Sequence, residues 1–298
     1  MKSQALRRVD PVSINPPART RRRTVSLPWG HVALGVSCGV VLLFLVLPTI
    51  LVIPMSFGRD KYLHFPPRNL SLHWYGEYFG SRDWIDPTLF SLRIAALTTV
   101  VATIIGTMAA LALVRGSLPG RELLTAAFIA PVIAPAIVTA LGIYSFFIRL
   151  HLTGTVVGFV LAHSVLAAPY VVLTVSAALS RFDTKLELAA LSLGASRFTT
   201  AMRITLPLVL PGVLAGAAFA FITSFDEATV SFFISGVHQK TLPRKLFEDL
   251  DFNVTPTVAA VATLLTVLSL VVIGGFELLR LRSSARVERA QVSARREE

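Results

Sequence analysis

A chain of 298 residues with 54% hydrophobic and only 15% charged residues is poor in charge beside soluble domains, where about 25% of residues are charged. The formal charge of +11 would suit a nucleic-acid partner, but the arginines sit in short tails and loops beside long apolar runs, the pattern by which Lys and Arg orient a membrane protein. The one cysteine, Cys38, lies inside the first apolar run and permits no intrachain disulfide.

Residues 1–30 are polar and basic, with Arg7, Arg8, Arg19, Arg21, Arg22 and Arg23 among Pro11, Pro16 and Pro17. They read as a disordered cytoplasmic tail. They are not a cleavable signal, because the apolar run that follows exceeds a signal core of about 7–15 residues and no Ala-x-Ala site closes it. Residues 31–282 form the membrane domain, and 283–298 a second basic cytoplasmic tail. A helix needs about 20 apolar residues to cross the hydrocarbon layer. Six segments qualify: His31–Phe57, Leu89–Val114, Leu123–Ile148, Thr155–Leu179, Leu206–Ser235 and Thr257–Leu279. The expected fold is therefore all-α, a polytopic membrane protein of about six transmembrane helices.

The loop after the first span carries Trp74, Tyr75, Tyr78, Phe79 and Trp84. The first four fall on one face of a short helix, expected to lie flat at the membrane surface, where indole and phenol rings are favoured; substrate stacking is the other reading. Pro131 and Pro135 fall within the third span. Six spans place both termini on one side. With the termini in the cytoplasm, inner segments hold about nineteen basic residues and outer ones about eight, so the positive-inside rule gives N-in and C-in. Gly35/Gly39, Gly154/Gly158 and Gly212/Gly216 have the spacing that lets helices approach closely in lipid.

The stretch between spans four and five, about 180–211, is distinctive. Thr184 and Glu187 fit a capping box. Leu186, Ala189, Ala190 and Leu193 form an apolar stripe. Gly194 suits the left-handed residue that ends a helix, and Ser196 can cap a second short helix carrying Arg197, Phe198 and Met202. A compact helix–turn–helix with small alanines could dock another protein, or could fold as an ordinary loop on the chain's own helices.

This stretch resembles the EAA loop of inner-membrane permease subunits of ABC importers. The resemblance rests on Ala189-Ala190, Leu193-Gly194-Ala195-Ser196, Ile204-Thr205-Leu206-Pro207 and Pro211-Gly212. One departure is Leu188, where the family has an acid just before the alanine pair; Glu187 stands one position earlier. Farther on, Ser224-Phe225-Asp226-Glu227, Thr241-Leu242-Pro243 and Thr255-Pro256-Thr257 resemble the polyamine branch, whose relatives also handle opines, aminobutyrate, phosphonates or ferric iron. The resemblance implies a coupling helix that sits in an ATPase cleft, with Glu187, Ala189, Ala190 and Leu193 on the helix and Gly194, Ala195, Ser196 and Arg197 at its turn. It also implies a second homologous permease, two ATPase copies, an external or periplasmic solute-binding protein, and the bacterial inner membrane as location. A secondary transporter or channel without an ATPase is the competing reading.

No Gly-x-x-x-x-Gly-Lys-Ser/Thr loop occurs, so ATP would be hydrolysed by a separate subunit. No His/Cys spacing suits a metal, and no cofactor is expected. His163, in span four, either lines a pore or bonds to a backbone carbonyl. Asp226 and Glu227 lie toward the outer end of an apolar span. Intramembrane acids usually face a water cavity or a partner, which makes both candidates for the translocation pathway; a buried ion pair or an acid rooted in the outer vestibule is the alternative.

Overall fold

The computed structural model describes residues 28–60, 62–236, 239–252 and 256–296, with side chains omitted at a few helix ends and beyond residue 282. Most of both predicted tails therefore lies outside the described side chains. The chain divides into two units, residues 1–48 and 49–298. The first contributes most of helix α1 (Pro28–Met55), which is apolar along its length and has no acid in its first turn. All other helices belong to the second unit.

That unit contains α2 (His73–Gly80), α3 (Arg82–Arg115), α4 (Arg121–Ile133), α5 (Ala136–Arg149) and α6 (Val156–Arg181). Next come α7 (Lys185–Ser192), α8 (Arg197–Thr200), a π-helical turn (Ala201–Thr205) and α9 (Leu206–Phe225). The chain finishes with α10 (Thr229–Ile234), α11 (Leu242–Phe252) and α12 (Pro256–Arg296). Among the described residues five helices are long and apolar enough to cross a membrane, and six if α4 and α5 count as one broken span.

Two spans expected to be continuous are broken. The third is bent by 106° between α4 and α5. Pro135 has no N–H for the helix ladder and pushes Ala134 to extended geometry, φ −66° and ψ 142°. Neither half, at 13 and 14 residues, is long enough to span alone, since each is about 20 Å at 1.5 Å per residue. The fifth span stops at Phe225 and resumes as α10 at Thr229. Asp226 and Glu227 thus occupy a helix break rather than a helix interior.

The aromatic helix also differs from expectation. Trp74 and Tyr78 turn inward and are buried, in a cluster where Tyr78 packs with Trp84, Leu242, Val258 and Val261. Each polar tip finds a partner there: Trp74 Nε1 donates to the Gly58 carbonyl at 2.7 Å, and Tyr78 pairs with Thr88 Oγ1 at 2.8 Å. Rings that bury their area in protein and satisfy their donors gain more than they would in the headgroup layer. Phe79 alone of the predicted face is strongly exposed.

The centre of the bundle is α6, packed between α3 and α9. Small residues set this contact. A Cβ at Gly106 would lie 2.6 Å from Val171 Cβ, and one at Gly212 would lie 2.6 Å from Ala178 Cβ. Gly212 and Gly216 therefore act as the close-approach pair expected of them. Gly154 does not: it is a left-handed turn residue ahead of α6, with φ +69°. Arg115, Arg121, Arg181, Lys185, Arg197 and Arg203 lie at the ends of α3 and α6, the start of α4 and in the α7–π-turn segment, and this basic end is cytoplasmic.

Gly216 gives a direct test of the packing. A Cβ there would lie 2.6 Å from Thr174 Oγ1 and 3.0 Å from the Val171 Cα, so Gly216→Ala should destabilise the purified protein by about 1–3 kcal/mol through overpacking. Gly142, with nothing within 4 Å of its Cβ position, should accept alanine with no loss, or a gain of up to about 1 kcal/mol from helix propensity. Thermal unfolding in detergent distinguishes the two; equal behaviour would contradict this packing.

Candidate functional site

The loop of 180–211 folds as two short helices around a left-handed glycine. Gly194 has φ +88°, a conformation that costs other residues about 1–2 kcal/mol. Ser196 caps α8, its Oγ accepting from Thr199 N at 3.1 Å. The expected capping box on α7 does not form. Thr184 makes no side-chain cap, and Asp183 Oδ1 takes the Lys185 N–H instead, at 2.9 Å.

Glu187 is thereby released for a longer-range role. Its carboxylate meets Arg115 Nε at 3.1 Å and accepts from Thr205 Oγ1 at 2.8 Å. Arg115 is the last residue of α3, and its Nη2 also donates to the Leu179 carbonyl at 3.1 Å at the end of α6. Its guanidinium lies 5.6 Å from the Phe182 ring centroid. Thr205 sits in the π-helical turn, where Leu206 N reaches back five residues to Ala201 O. One arginine and one glutamate thus tie together α3, α6, α7 and the start of α9. The Arg115–Glu187 side chains retain 22% and 17% exposure and line a cavity of about 440 Å³ with Arg197 and Thr200.

The rest of the loop faces outward. Leu186, Leu188, Ala189, Leu193, Gly194, Ser196 and Arg197 are exposed, while Ala190 and Ala195 are partly covered. Leu193 is 89% exposed and Phe198 75%. Such apolar exposure on a polar end of the protein is what an unoccupied protein contact looks like.

The second polar centre is the α9–α10 break. Glu227 caps α10 through Val230 N, at 2.7 Å from its Oε1. Asp226 is exposed and lines a cavity of about 400 Å³ with Thr49, Phe225, Thr266 and Ser269. The two adjacent acids therefore separate, one bonded within the chain and one facing open space. His163 is buried rather than pore-lining, and beside the Ser224 backbone its ring meets two serine hydroxyls. It is 1% exposed, with Nδ1 at 2.9 Å from Ser224 Oγ and Nε2 at 3.1 Å from Ser231 Oγ. The sequence offered no signal for that bridge, because its serines are 61 and 68 residues away. Among the described residues no cluster of His, Cys, Asp or Glu could hold a metal ion.

Residues 102–283 match the family of binding-protein-dependent transport system inner membrane components. The chain belongs to this family. It is 35% identical over 234 residues to the spermidine/putrescine transport system permease protein PotC of Haemophilus influenzae, covering 78% of this chain and 91% of that one. It is 32% identical over 229 residues to the putrescine transport system permease protein PotI of Escherichia coli K12, covering 74% and 81%. A bacterial ABC transporter involved in the import of the acidic polysaccharide alginate contains a chain of the same fold, with TM-score 0.66, 14% identity, and 83% of this chain and 94% of that one covered. A chain of the MetNI methionine ABC transporter superposes with TM-score 0.57 and 18% identity, with 65% of this chain and 93% of that one covered. The permease is thus a multi-pass inner-membrane transport subunit of an ABC importer, working with an ATPase and a substrate-binding protein.

The Arg115–Glu187 tie should be measurable. Arg115→Met leaves a largely covered carboxylate with Thr205 alone, at a cost of about 1–3 kcal/mol, between the values of surface and buried pairs. Hydrogen exchange across 183–205 should accelerate in this variant, and less so in Glu187→Gln, whose carboxamide oxygen still accepts from Thr205. Unchanged exchange in Arg115→Met would mean that the tie does not hold the loop.

Proposed function

We propose that this permease forms half of the translocation pathway for spermidine, putrescine or a related polyamine, beside a second homologous permease. Two copies of an ATPase drive it, and an external solute-binding protein delivers the solute. The observation that carries the solute reading is the similarity to polyamine permeases over about three-quarters of the chain. The Asp226 cavity gives that reading a chemical basis. A polyamine is a flexible polycation, and a carboxylate beside low-dielectric walls attracts an ammonium more strongly than one in bulk water. Thr49, Thr266 and Ser269 supply hydroxyl oxygens around it. Glu227, engaged with α10, serves the pathway by holding the break open rather than by meeting the solute.

The exposed face of α7 and its Gly194 turn form the ATPase contact. Movement of the ATPases on binding ATP reaches the spans through the Arg115–Glu187–Thr205 tie. Access then alternates between two states of the bundle, biased by which state each ligand binds better.

Transport assays test both parts. Asp226→Asn preserves shape and removes charge, so uptake of spermidine and putrescine should fall by about tenfold or more at equal membrane abundance, the loss of about 1.4 kcal/mol of attraction. Glu227→Gln should change solute preference little, since its carbonyl oxygen still caps α10. Full cation uptake in Asp226→Asn would remove Asp226 from the pathway. Gly194→Val strains the turn without touching a span, and ATP hydrolysis stimulated by the solute-binding protein should collapse; normal coupling in that variant would overturn the docking assignment.

A further inference from the structure

We propose that His163 is a positioning residue that clasps both sides of the α9–α10 break and so fixes where the Asp226 carboxylate sits. The bonds define a closed loop. Ser224, on the last turn of α9, meets Nδ1 at 2.9 Å. Ser231, on α10, meets Nε2 at 3.1 Å. Asp226 and Glu227 lie between the two serines, so the imidazole staples the segment that carries them.

The proton positions follow from the network. Ser231 Oγ donates its hydrogen to the Glu227 carbonyl at 2.9 Å, so toward the ring it can only accept. Nε2 therefore carries a proton and donates it to Ser231. In a neutral ring Nδ1 is then an acceptor, filled by the Ser224 hydroxyl. Every polar atom of the clasp is used, and the Glu227 carbonyl freed by the break gains a donor from it.

A packing role alone does not account for this arrangement. The surrounding cluster is apolar, built from Phe159, Ala162, Val230 and Ile234, with the Phe159 ring edge-on to the imidazole at 6.0 Å. A leucine would fill such a space, whereas a polar ring buried there is tolerated only because both nitrogens are bonded. The bonds run to the two helices that flank the break, the one place where the fifth span has no backbone ladder to keep its halves in register. The neighbouring Gly154 N–H also reaches α10, donating to Ile234 O at 2.7 Å, so α6 and the turn before it hold α10 at both of its ends.

The inference rests on Asp226 being a pathway residue only for its functional consequence; the geometry can be tested separately. In the assembled importer, Cys38→Ser and Asp226→Cys provide a single site for a nitroxide spin label. With His163 intact the label should report one restricted environment. His163→Leu should raise the mobile fraction severalfold. His163→Asn, whose Oδ1 replaces Nδ1 toward Ser224, and His163→Gln, whose Nε2 replaces the donor to Ser231, should each fall between. Phe159→Leu trims the packing on the ring but no hydrogen bond, and should leave the label as it is. If His163→Leu inserts poorly, Ser224→Ala with Ser231→Ala removes both bonds under an intact ring and should mobilise the label likewise. An unchanged label in His163→Leu, or in the double serine variant where it replaces it, overturns the clasp, as does an equal change in Phe159→Leu. If the label is mobilised while Asp226→Asn transports polyamines normally, the clasp stands and the pathway reading fails. If Asp226→Asn loses cation transport while the label is unmoved, the pathway stands and the clasp fails.

Discussion

A hydrocarbon layer offers no hydrogen-bond partners, so every backbone N–H and C=O released by a helix break must be met from within the protein or from a water-filled cavity. This permease breaks two of its spans, and much of its polar side-chain chemistry answers that constraint. At the α4–α5 bend Pro135 has no N–H to lose, Ala134 N still reaches Ala130 O, and Pro135 O accepts from Val138 N and Thr139 N. At the α9–α10 break side chains join the backbone in meeting the freed groups. There Asp226 N closes α9 on Ile222 O, Glu227 Oε1 accepts from Val230 N, and Ser231 Oγ donates to Glu227 O. His163 then joins the two helix ends. The one charge left outward, Asp226, faces a cavity where water or a cation can solvate it.

The two polar centres share one element. Near its outer end α6 carries His163, and at its inner end the Leu179 carbonyl takes Arg115. These points are separated by about 24 Å of helix at 1.5 Å per residue. Between them the helix is gripped by α3 and α9 through Gly106, Gly212 and Gly216, where not even one methyl group could be added without displacement. A contact that tight leaves no slack to absorb a shift at one end, and packed interfaces of this kind move between discrete arrangements rather than deforming smoothly. Rotation of the coupling loop would therefore be felt at the break through α6 itself.

Much of this was legible in the sequence, and the exceptions are instructive. Spans announce themselves by length and apolarity, and local motifs with near neighbours form as their patterns dictate where no competitor stands beside them: Gly194 is left-handed and Ser196 caps α8. Thr184-x-x-Glu187 has the capping-box pattern, but Asp183 one residue earlier captured the cap. Glu187 was then free for Arg115, 72 residues away, a partner that periodicity cannot reveal. Pro131 and Pro135 were visible, yet prolines are tolerated in membrane helices; Pro131 and Pro211 lie inside α4 and α9, and only Pro135 sits at a break. Apolar composition likewise hid the end of α9, because lipid-compatible residues continue through α10 on the far side of Asp226. The inward turn of Trp74 and Tyr78 depended on partners at Gly58 and Thr88 and on the distant α12, which amphipathic spacing alone does not identify.

The position of Leu188 acquires a physical meaning from the Glu187 tie. Consecutive residues on a helix point about 100° apart, so an acid turned inward at 187 leaves its successor turned away. Leu188 is 60% exposed, and Leu193 and Phe198 beyond it more so. Glu187 is thus committed to the chain's own bundle, and the outward face of the loop is largely apolar, with Asp183, Lys185 and Arg197 the exposed charges near its helix starts. Contact through such a surface gains from burial of about 25 cal/mol per Å² of apolar area, a gain that salt does not screen, whereas an exposed acid would contribute an ion pair that it does. The internal tie and the outward apolar face are two consequences of the same one-residue offset: the glutamate that ties the loop to Arg115 and Thr205 is, by helix geometry, not a residue of its outward face.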